Sequence, residues 1–283
     1  MLAAAAGGRV YRRRVRPRRR AARGRRPTPF VVFTTPRSGS SWLIDLLDSH
    51  PCIAAHAELF LVGDRTTPDY GNRDVPRFEA TLDESRRHGR AALLVRRVRY
   101  LNRLFARRRG VQAVGFKLMY LQASAHTGIV PYLAAQRARV VHLVRANALD
   151  QIVSYEAALV RNVFRARRGE VVPEVTVRLD PPALPARLEK MESEVADARR
   201  TLARYRLQAL EVVYEHLAET TADELARVVS FLDVEPTDWQ AESSLVGANR
   251  APRTELIENL SEVEAALAGT RYEWMLGPGS AHG

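Results

Sequence analysis

Apolar residues arrive in short unbroken runs, separated by longer stretches with helical spacing. Pro29-Phe-Val-Val-Phe-Thr-Thr35 is apolar and β-branched, as a buried strand requires. Pro36 to Ser41 is a loop, and Trp42-Leu-Ile-Asp-Leu-Leu47 begins a helix. Residues 52–55 read as a second short strand. Residues 61–89 are polar and carry Pro68, Gly71 and Pro76, so they read as a long mobile insertion with some helix. Further strands are predicted at 111–119, 139–144 and 209–214. Further helices are predicted at 91–108, 124–136, 148–160, 186–206, 221–232 and 254–268, with Asn147 as the N-cap of the third of these. Strands that are apolar throughout and alternate with helices predict an α/β fold, with a central parallel sheet covered by helices on both faces. There is no internal repeat and no second core, so residues 30–283 are expected to form one domain.

Composition adds exclusions. The 283 residues are 46% hydrophobic and 27% charged, which excludes a disordered or fibrous chain. No run of about 18 uncharged apolar residues occurs, so no membrane span is expected. The single cysteine, Cys52, excludes a disulfide scaffold and fits a reducing compartment, so a cytoplasmic location is expected. The seven histidines show no zinc spacing, and no metal is expected.

The net charge of +12 is local. Residues 1–29 hold eleven arginines and no acid, so the remainder is nearly neutral. The chain as a whole is therefore not read as a specific nucleic-acid binder. The first 29 residues read as a disordered basic tail able to touch acidic lipids at the inner membrane face. Leu2–Ala6 is too short for a secretory signal. Lys117 and Lys190 are the only lysines, an arginine bias that suggests a GC-rich bacterial source. Homo-oligomerisation stays open.

In open parallel sheets ligands bind where strands end and helices begin. The first such junction is Thr35-Pro-Arg-Ser-Gly-Ser-Ser-Trp42. Gly39 permits a tight turn, and the helix that follows presents unpaired amides and the positive end of its dipole. Ser38, Ser40 and Ser41 add hydroxyls, and Arg37 adds a fixed charge. The plainer alternative is a serine-rich helix cap with an incidental arginine. The pattern Gly-x4-Gly-Lys-Ser/Thr is absent and no lysine lies nearby, so the loop is not that of a nucleotide triphosphatase. Thr34-x-x-Arg37-Ser-Gly-Ser-Ser-Trp-Leu43 instead resembles the 5′-phosphosulfate loop of sulfotransferases. Its arginine form is similar to that of carbohydrate sulfotransferases and of the bacterial nodulation-type and trehalose-type enzymes. The resemblance implies a single P-loop-type domain in which Arg37, Ser38, Gly39, Ser40, Ser41 and Trp42 bind the donor 3′-phosphoadenosine 5′-phosphosulfate (PAPS).

A second match is independent of the first. Val140-Val-His-Leu-Val-Arg145 ends a strand, and Ser154 lies nine residues further on. This resembles the family's 3′-phosphate motif, in which a strand-end arginine and a helical serine hold the phosphate. A spacing of nine is similar to the bacterial carbohydrate subgroup, where many cytosolic members have eight. An arginine suits this role because it binds phosphate bidentately; the alternative is a surface ion pair. Gly115-Phe-Lys-Leu-Met119 and Val213-Tyr-Glu-His-Leu217 resemble further family segments. Asn249-Arg-Ala-Pro-Arg253 resembles the C-terminal segment that closes on the cofactor, which implies that Arg253 binds it.

Sulfuryl transfer needs charge stabilisation on the leaving phosphate and on the sulfuryl oxygens, and a base for the acceptor hydroxyl. Arg37 and the loop amides suit the leaving group. Lys117, at a strand end, suits the sulfuryl oxygens, with a plain salt bridge as its alternative. The cytosolic animal enzymes place a histidine two residues after this lysine; here that place is Met119, which takes no proton. Glu58-Leu-Phe60 resembles the glutamate segment of the trehalose-type enzymes, so Glu58 is the expected base, with His56 in reserve. A carboxylate merely pairing Arg37 or Arg65 is the alternative.

The resulting expectation is a sulfotransferase acting on a hydroxyl of a carbohydrate or glycolipid. Its competitors are a nucleotide or small-molecule kinase of related fold and a non-catalytic polyanion-binding protein. Acceptor choice is expected to lie in residues 61–108 and 160–186.

Overall fold

The computed structural model describes residues 26–61, 75–82, 89–246 and 253–277. The predicted basic tail before residue 26, most of the predicted insertion and residues 247–252 lie outside the described residues. In chain order the elements are β1 (Thr28–Thr34), α1 (Ser40–Ser49), β2 (Ile53–Glu58), α2 (Arg90–Leu104), β3 (Ala113–Met119), α3 (Tyr120–Ala125), α4 (Ile129–Ala135), β4 (Arg139–Val144) and α5 (Ala148–Arg161). They continue as β5 (Ala166–Arg167), α6 (Leu184–Arg204), β6 (Gln208–Val213), α7 (Tyr214–Glu219), α8 (Thr221–Phe231), β7 (Leu245–Val246), α9 (Arg253–Leu256) and α10 (Leu260–Leu267). Short 3-10 turns cover 79–81 and 273–276. Among the described residues no helix is long and apolar enough to cross a membrane.

Five strands pair in the order β2-β3-β1-β4-β6, all parallel. The period-2 pleat divides β1 between two cores. Phe30 and Val32 pack with Leu43 and Leu47 of α1 and Leu225 and Val228 of α8. Val31 and Phe33 face the other way, toward Leu101 of α2, Leu133 of α4 and Leu202 of α6. The predicted α/β fold with both faces covered is what the structure shows. Each fully buried core side chain contributes about 1.5–3 kcal/mol. A third cluster packs α5 against α6, α9 and α10 through Leu149, Leu188, Ile257 and Val263.

Most predicted elements appear with shifted ends, and two do not survive whole. The helix predicted over 124–136 is two helices. α3 begins directly after β3, because the Met119 N–H donates to Gln122 Oε1 at 3.1 Å and starts the helix without a linker. α4 restarts at Gly128, whose φ of 95° is left-handed. The helix predicted over 254–268 breaks between α9 and α10. There Asn259 spends its side chain on the backbone of Leu179, accepting from its N–H and donating to its carbonyl, both at 3.1 Å. The β5–β7 pair and α7 carry no hydropathy signal at their lengths and were not expected.

β1 lies at the centre of the sheet, with β3 on one side and β4 on the other. Its carboxyl end is therefore the switch point at which open α/β sheets bind ligands.

Candidate functional site

The loop leaving β1 is held from within. Thr34 Oγ1 donates to the Leu143 carbonyl at 2.7 Å and meets Ser38 Oγ at 2.6 Å. Ser38 Oγ also reaches the Thr35 carbonyl at 3.0 Å. The Ser38 hydroxyl thus faces inward and shapes the loop rather than offering itself to a ligand, which corrects its reading as a hydroxyl donor. From α5, Gln151 Nε2 donates to Thr35 Oγ1 at 2.7 Å and to the Pro36 carbonyl. Arg37 and Gly39 take left-handed backbone, φ 62° and 83°. For Arg37 this costs about 1–2 kcal/mol. At Gly39 any side chain is excluded, since a Cβ would lie 2.3 Å from the Tyr214 ring. The amides of Ser40, Ser41 and Trp42 open α1 and have no intrahelical acceptor. Trp42 meets Tyr214 edge-on, with ring centroids 6.4 Å apart.

The two motifs separated in sequence meet at Arg37. Its Nε donates to Ser154 Oγ at 3.1 Å, and its guanidinium reaches the Phe164 carbonyl. Its own carbonyl accepts from Arg145 Nη1 at 3.3 Å. Arg145 lies over the Tyr214 ring, 4.8 Å from its centroid, and 3.8 Å from both Asp150 and Glu215. Arg253 Nη1 pairs with the other oxygen of Asp150 at 2.7 Å. Glu215 also accepts from the N–H groups of Ala146 and Asn147, at 2.9 and 3.1 Å, and so anchors the turn into α5. Arg37, Arg145, Ser154 and Arg253 are thus gathered at one end of the sheet. Burial first, and then the positive charges of Arg145, Arg161 and Arg165, together lower the Arg37 pKa to about 10. A cation crowded by cations is a receptor for an anion.

The second half of the site lies across β1. Lys117 on β3 is 2% exposed. Its Nζ pairs with Glu58 Oε1 at 2.8 Å and donates to Ser41 Oγ at 3.1 Å. One lysine therefore joins the expected base to the first turn of the anion loop. Gln122 Nε2 donates to Glu58 Oε2 at 2.7 Å, and Arg165 stands 3.8 Å from Oε1. Burial drives the Lys117 pKa down to about 8, with Glu58 opposing and Arg165 and Arg37 adding to the fall. Burial raises the Glu58 pKa, but Lys117, Arg165 and Gln122 outweigh it and hold the carboxyl below its ordinary value. A register irregularity in β2 sets Glu58 opposite Lys117, while His56 lies buried opposite Phe116.

Four residues of this site carried no signal in the sequence. Asp150 and Glu215 pair with the arginines, and Gln122 donates to Glu58. Arg165 also joins from the stretch after α5. A carboxylate three residues into a helix or an amide five residues after a lysine carries no motif of its own.

A family model described as the sulfotransferase family matches residues 29–239. The chain is similar to nodulation protein H of Rhizobium tropici, at 24% identity over 252 residues that cover 87% of this chain and 92% of that one. Among solved structures it is similar to a sulfotransferase from Alicyclobacillus acidocaldarius, 20% identical with a TM-score of 0.43, covering 90% of this chain and 98% of that one. It is also similar to mouse sulfotransferase SULT7A1 complexed with PAP, 15% identical with a TM-score of 0.40; the alignment covers 76% of this chain and spans 61% of the mouse protein.

Proposed function

The chain belongs to the sulfotransferase family, and from that premise we propose that it moves a sulfuryl group from PAPS to a hydroxyl of a carbohydrate or glycolipid, releasing adenosine 3′,5′-bisphosphate. The observation that carries this reading is the contact of Lys117 with both Glu58 and Ser41. It puts a carboxylate base, a cation and the amide-rich start of α1 in one cluster, as sulfuryl transfer demands.

The residues present suit the donor. The Arg37 pKa is depressed by burial and then by three neighbouring guanidinium groups, and a bound polyanion would relieve that crowding of charge. Arg37 and the amides of Ser38 to Ser41 would hold the 5′-phosphosulfate, and Arg145, Ser154 and Arg253 the 3′-phosphate. When bound, PAPS supplies the activated sulfuryl group. Glu58, held ionised by its partners, takes the proton of the acceptor hydroxyl on a carboxylate oxygen. Lys117 stabilises negative charge between Glu58 and the loop. Arg37 and the α1 amides stabilise charge on the departing phosphate. These groups are set before reaction, so little reorganisation is required.

The acceptor class rests on the resemblance to bacterial carbohydrate enzymes, through Glu58-Leu-Phe60 and the presence of Met119 where the cytosolic animal enzymes carry histidine. Calorimetry with adenosine 3′,5′-bisphosphate, ATP and heparin separates this reading from its rivals. The bisphosphate is expected to bind tightly and ATP not at all. ATP binding in preference to the bisphosphate would favour a kinase, and heparin binding alone a polyanion-binding protein. Incubation with labelled PAPS and an extract of the source organism would then identify the acceptor.

A further inference from the structure

We propose that Gln122 is a positioning residue for the proton-accepting carboxylate of Glu58, an inference that rests on the reading of Glu58 as the base. Gln122 lies in the first turn of α3 and is 4% exposed. Its two ends do different work. The carbonyl Oε1 accepts from the Met119 N–H at 3.1 Å, and Nε2 donates to Glu58 Oε2 at 2.7 Å. An amide has one accepting and one donating end. Turning it over would set its NH2 against the Met119 N–H and its oxygen against a carboxylate. The backbone of β3 thus dictates that a donor faces Glu58.

Lys117, also from β3, holds the other oxygen, Oε1, at 2.8 Å. Glu58 is therefore gripped at both oxygens, and the plane of its carboxylate is fixed. Among the described residues Lys117, Gln122 and Arg165 face Glu58, and each favours the ionised form needed to receive a proton.

α3 is itself anchored beside this contact. The Tyr120 hydroxyl meets His142 Nε2 at 2.6 Å, and His142 Nδ1 meets Glu211 at 3.1 Å. Arg199 of α6 grips Glu211 with two hydrogen bonds, at 2.9 and 2.7 Å. The helix that carries Gln122 is thus tied to β4 and β6 on one side while Gln122 reaches β2 on the other. A rigid support of this kind keeps a reacting group within the narrow tolerance that catalysis requires.

The test uses Gln122→Met, which keeps length but donates nothing, and Gln122→Glu, which keeps an oxygen for the Met119 N–H. In Gln122→Met, kcat should fall about tenfold, the size of a lost charge-assisted hydrogen bond. The acidic limb of its kcat–pH profile should move upward, because the ionised carboxylate has lost a donor. In Gln122→Glu a second carboxyl beside Glu58 should move that limb further still. Both variants should bind adenosine 3′,5′-bisphosphate as the parent protein does. Normal turnover with an unmoved acidic limb in either variant overturns the proposal. Loss of bisphosphate binding in both also overturns it, by making Gln122 a packing residue. Glu58→Gln serves as the separate control. If that variant turns over normally, the reading of Glu58 as base fails; if it is inactive while Gln122→Met is normal, only the positioning role fails.

Discussion

On the loop side of the site, Arg37 is crowded by Arg145, Arg161 and Arg165, and like charges help burial to lower its pKa to about 10. On the strand side, Glu58 faces Lys117, Arg165 and Gln122, and these donors hold its carboxyl ionised against burial. The loop side has an excess of one sign that an incoming anion can satisfy. The strand side is already satisfied by its own partners, and its polar groups are fixed rather than waiting. Changes on the strand side should therefore appear mainly in turnover. Those around Arg145 should appear mainly in affinity for the donor, with Arg37 touching both.

The largest test is Glu58→Gln, which keeps the shape but cannot take the acceptor's proton at useful pH. Turnover should fall by about 10²–10⁴ with bisphosphate affinity close to that of the parent. His56→Ala should do much less, because Glu58, not His56, lies opposite Lys117 in the register. Single-turnover transfer and calorimetry on both variants decide the matter. A dead His56 variant beside an active Glu58→Gln would reverse the roles.

Arg37→Ala should lower turnover by about two orders of magnitude, the size of removing a strong charge-stabilising donor. Because Arg37 also bonds Ser154 and the Phe164 carbonyl, bisphosphate affinity should weaken as well. Unchanged turnover would remove Arg37 from the leaving group and would blur the division between the two sides.

The pH dependence sharpens the same division. Lys117 has its pKa lowered to about 8 in the free protein, so it is charged at neutral pH and loses its proton above pH 8. kcat/KM, which reports the free enzyme, should then fall up to about tenfold for each pH unit above that point. Glu58, held low, should place the acidic limb below the ordinary carboxylate range. Lys117→Arg should remove the alkaline limb, since a guanidinium stays charged. A limb that survives in that variant would belong to another group.

The two halves also differed in how plainly the sequence announced them. Residues 35–42 are contiguous, and a strand, a glycine turn and a helix start predict an anion site from local rules alone. Arg145 and Ser154 are identified only through their resemblance to the family's 3′-phosphate motif, whereas the α/β order of β1, β2, β3, β4 and β6 was legible from the hydropathy pattern. The cluster of Glu58, Lys117 and Gln122 depends on β2 pairing with β3 and on one register irregularity. Sequence spacing carries no information on such a pairing, so Lys117 and Glu58 were identified one by one and Gln122 not at all. The inward turn of the Ser38 hydroxyl was hidden for the same reason: its partner Thr34 is bound to Leu143 on a different strand. The break near Asn259 came from a backbone partner far along the chain, Leu179, which overrides helical periodicity, and the break at Gly128 came from its left-handed backbone.

The smallest expected effects lie on the loop side and compare Arg145 with Ser154. Arg145 is held by several groups: Asp150, Glu215 and the Tyr214 ring. Arg145→Ala removes a charge-assisted phosphate contact worth about 1.5–3 kcal/mol, so affinity for the bisphosphate should fall roughly tenfold or more. Ser154→Ala removes a neutral hydroxyl worth about 1 kcal/mol, a loss of roughly fivefold. Ser154 also accepts from Arg37 Nε, so its loss would free the guanidinium proposed to stabilise the leaving group, and turnover should change less than affinity. Calorimetry with adenosine 3′,5′-bisphosphate and with its 3′-dephospho analogue measures both effects directly. For Arg145→Ala and Ser154→Ala alike, the loss should be seen with the bisphosphate and vanish with the analogue. If either variant loses affinity equally for the two nucleotides, that residue acts through the shape of the loop rather than through the 3′-phosphate. The loop side would then be a single electrostatic body, in which no arginine belongs to one phosphate.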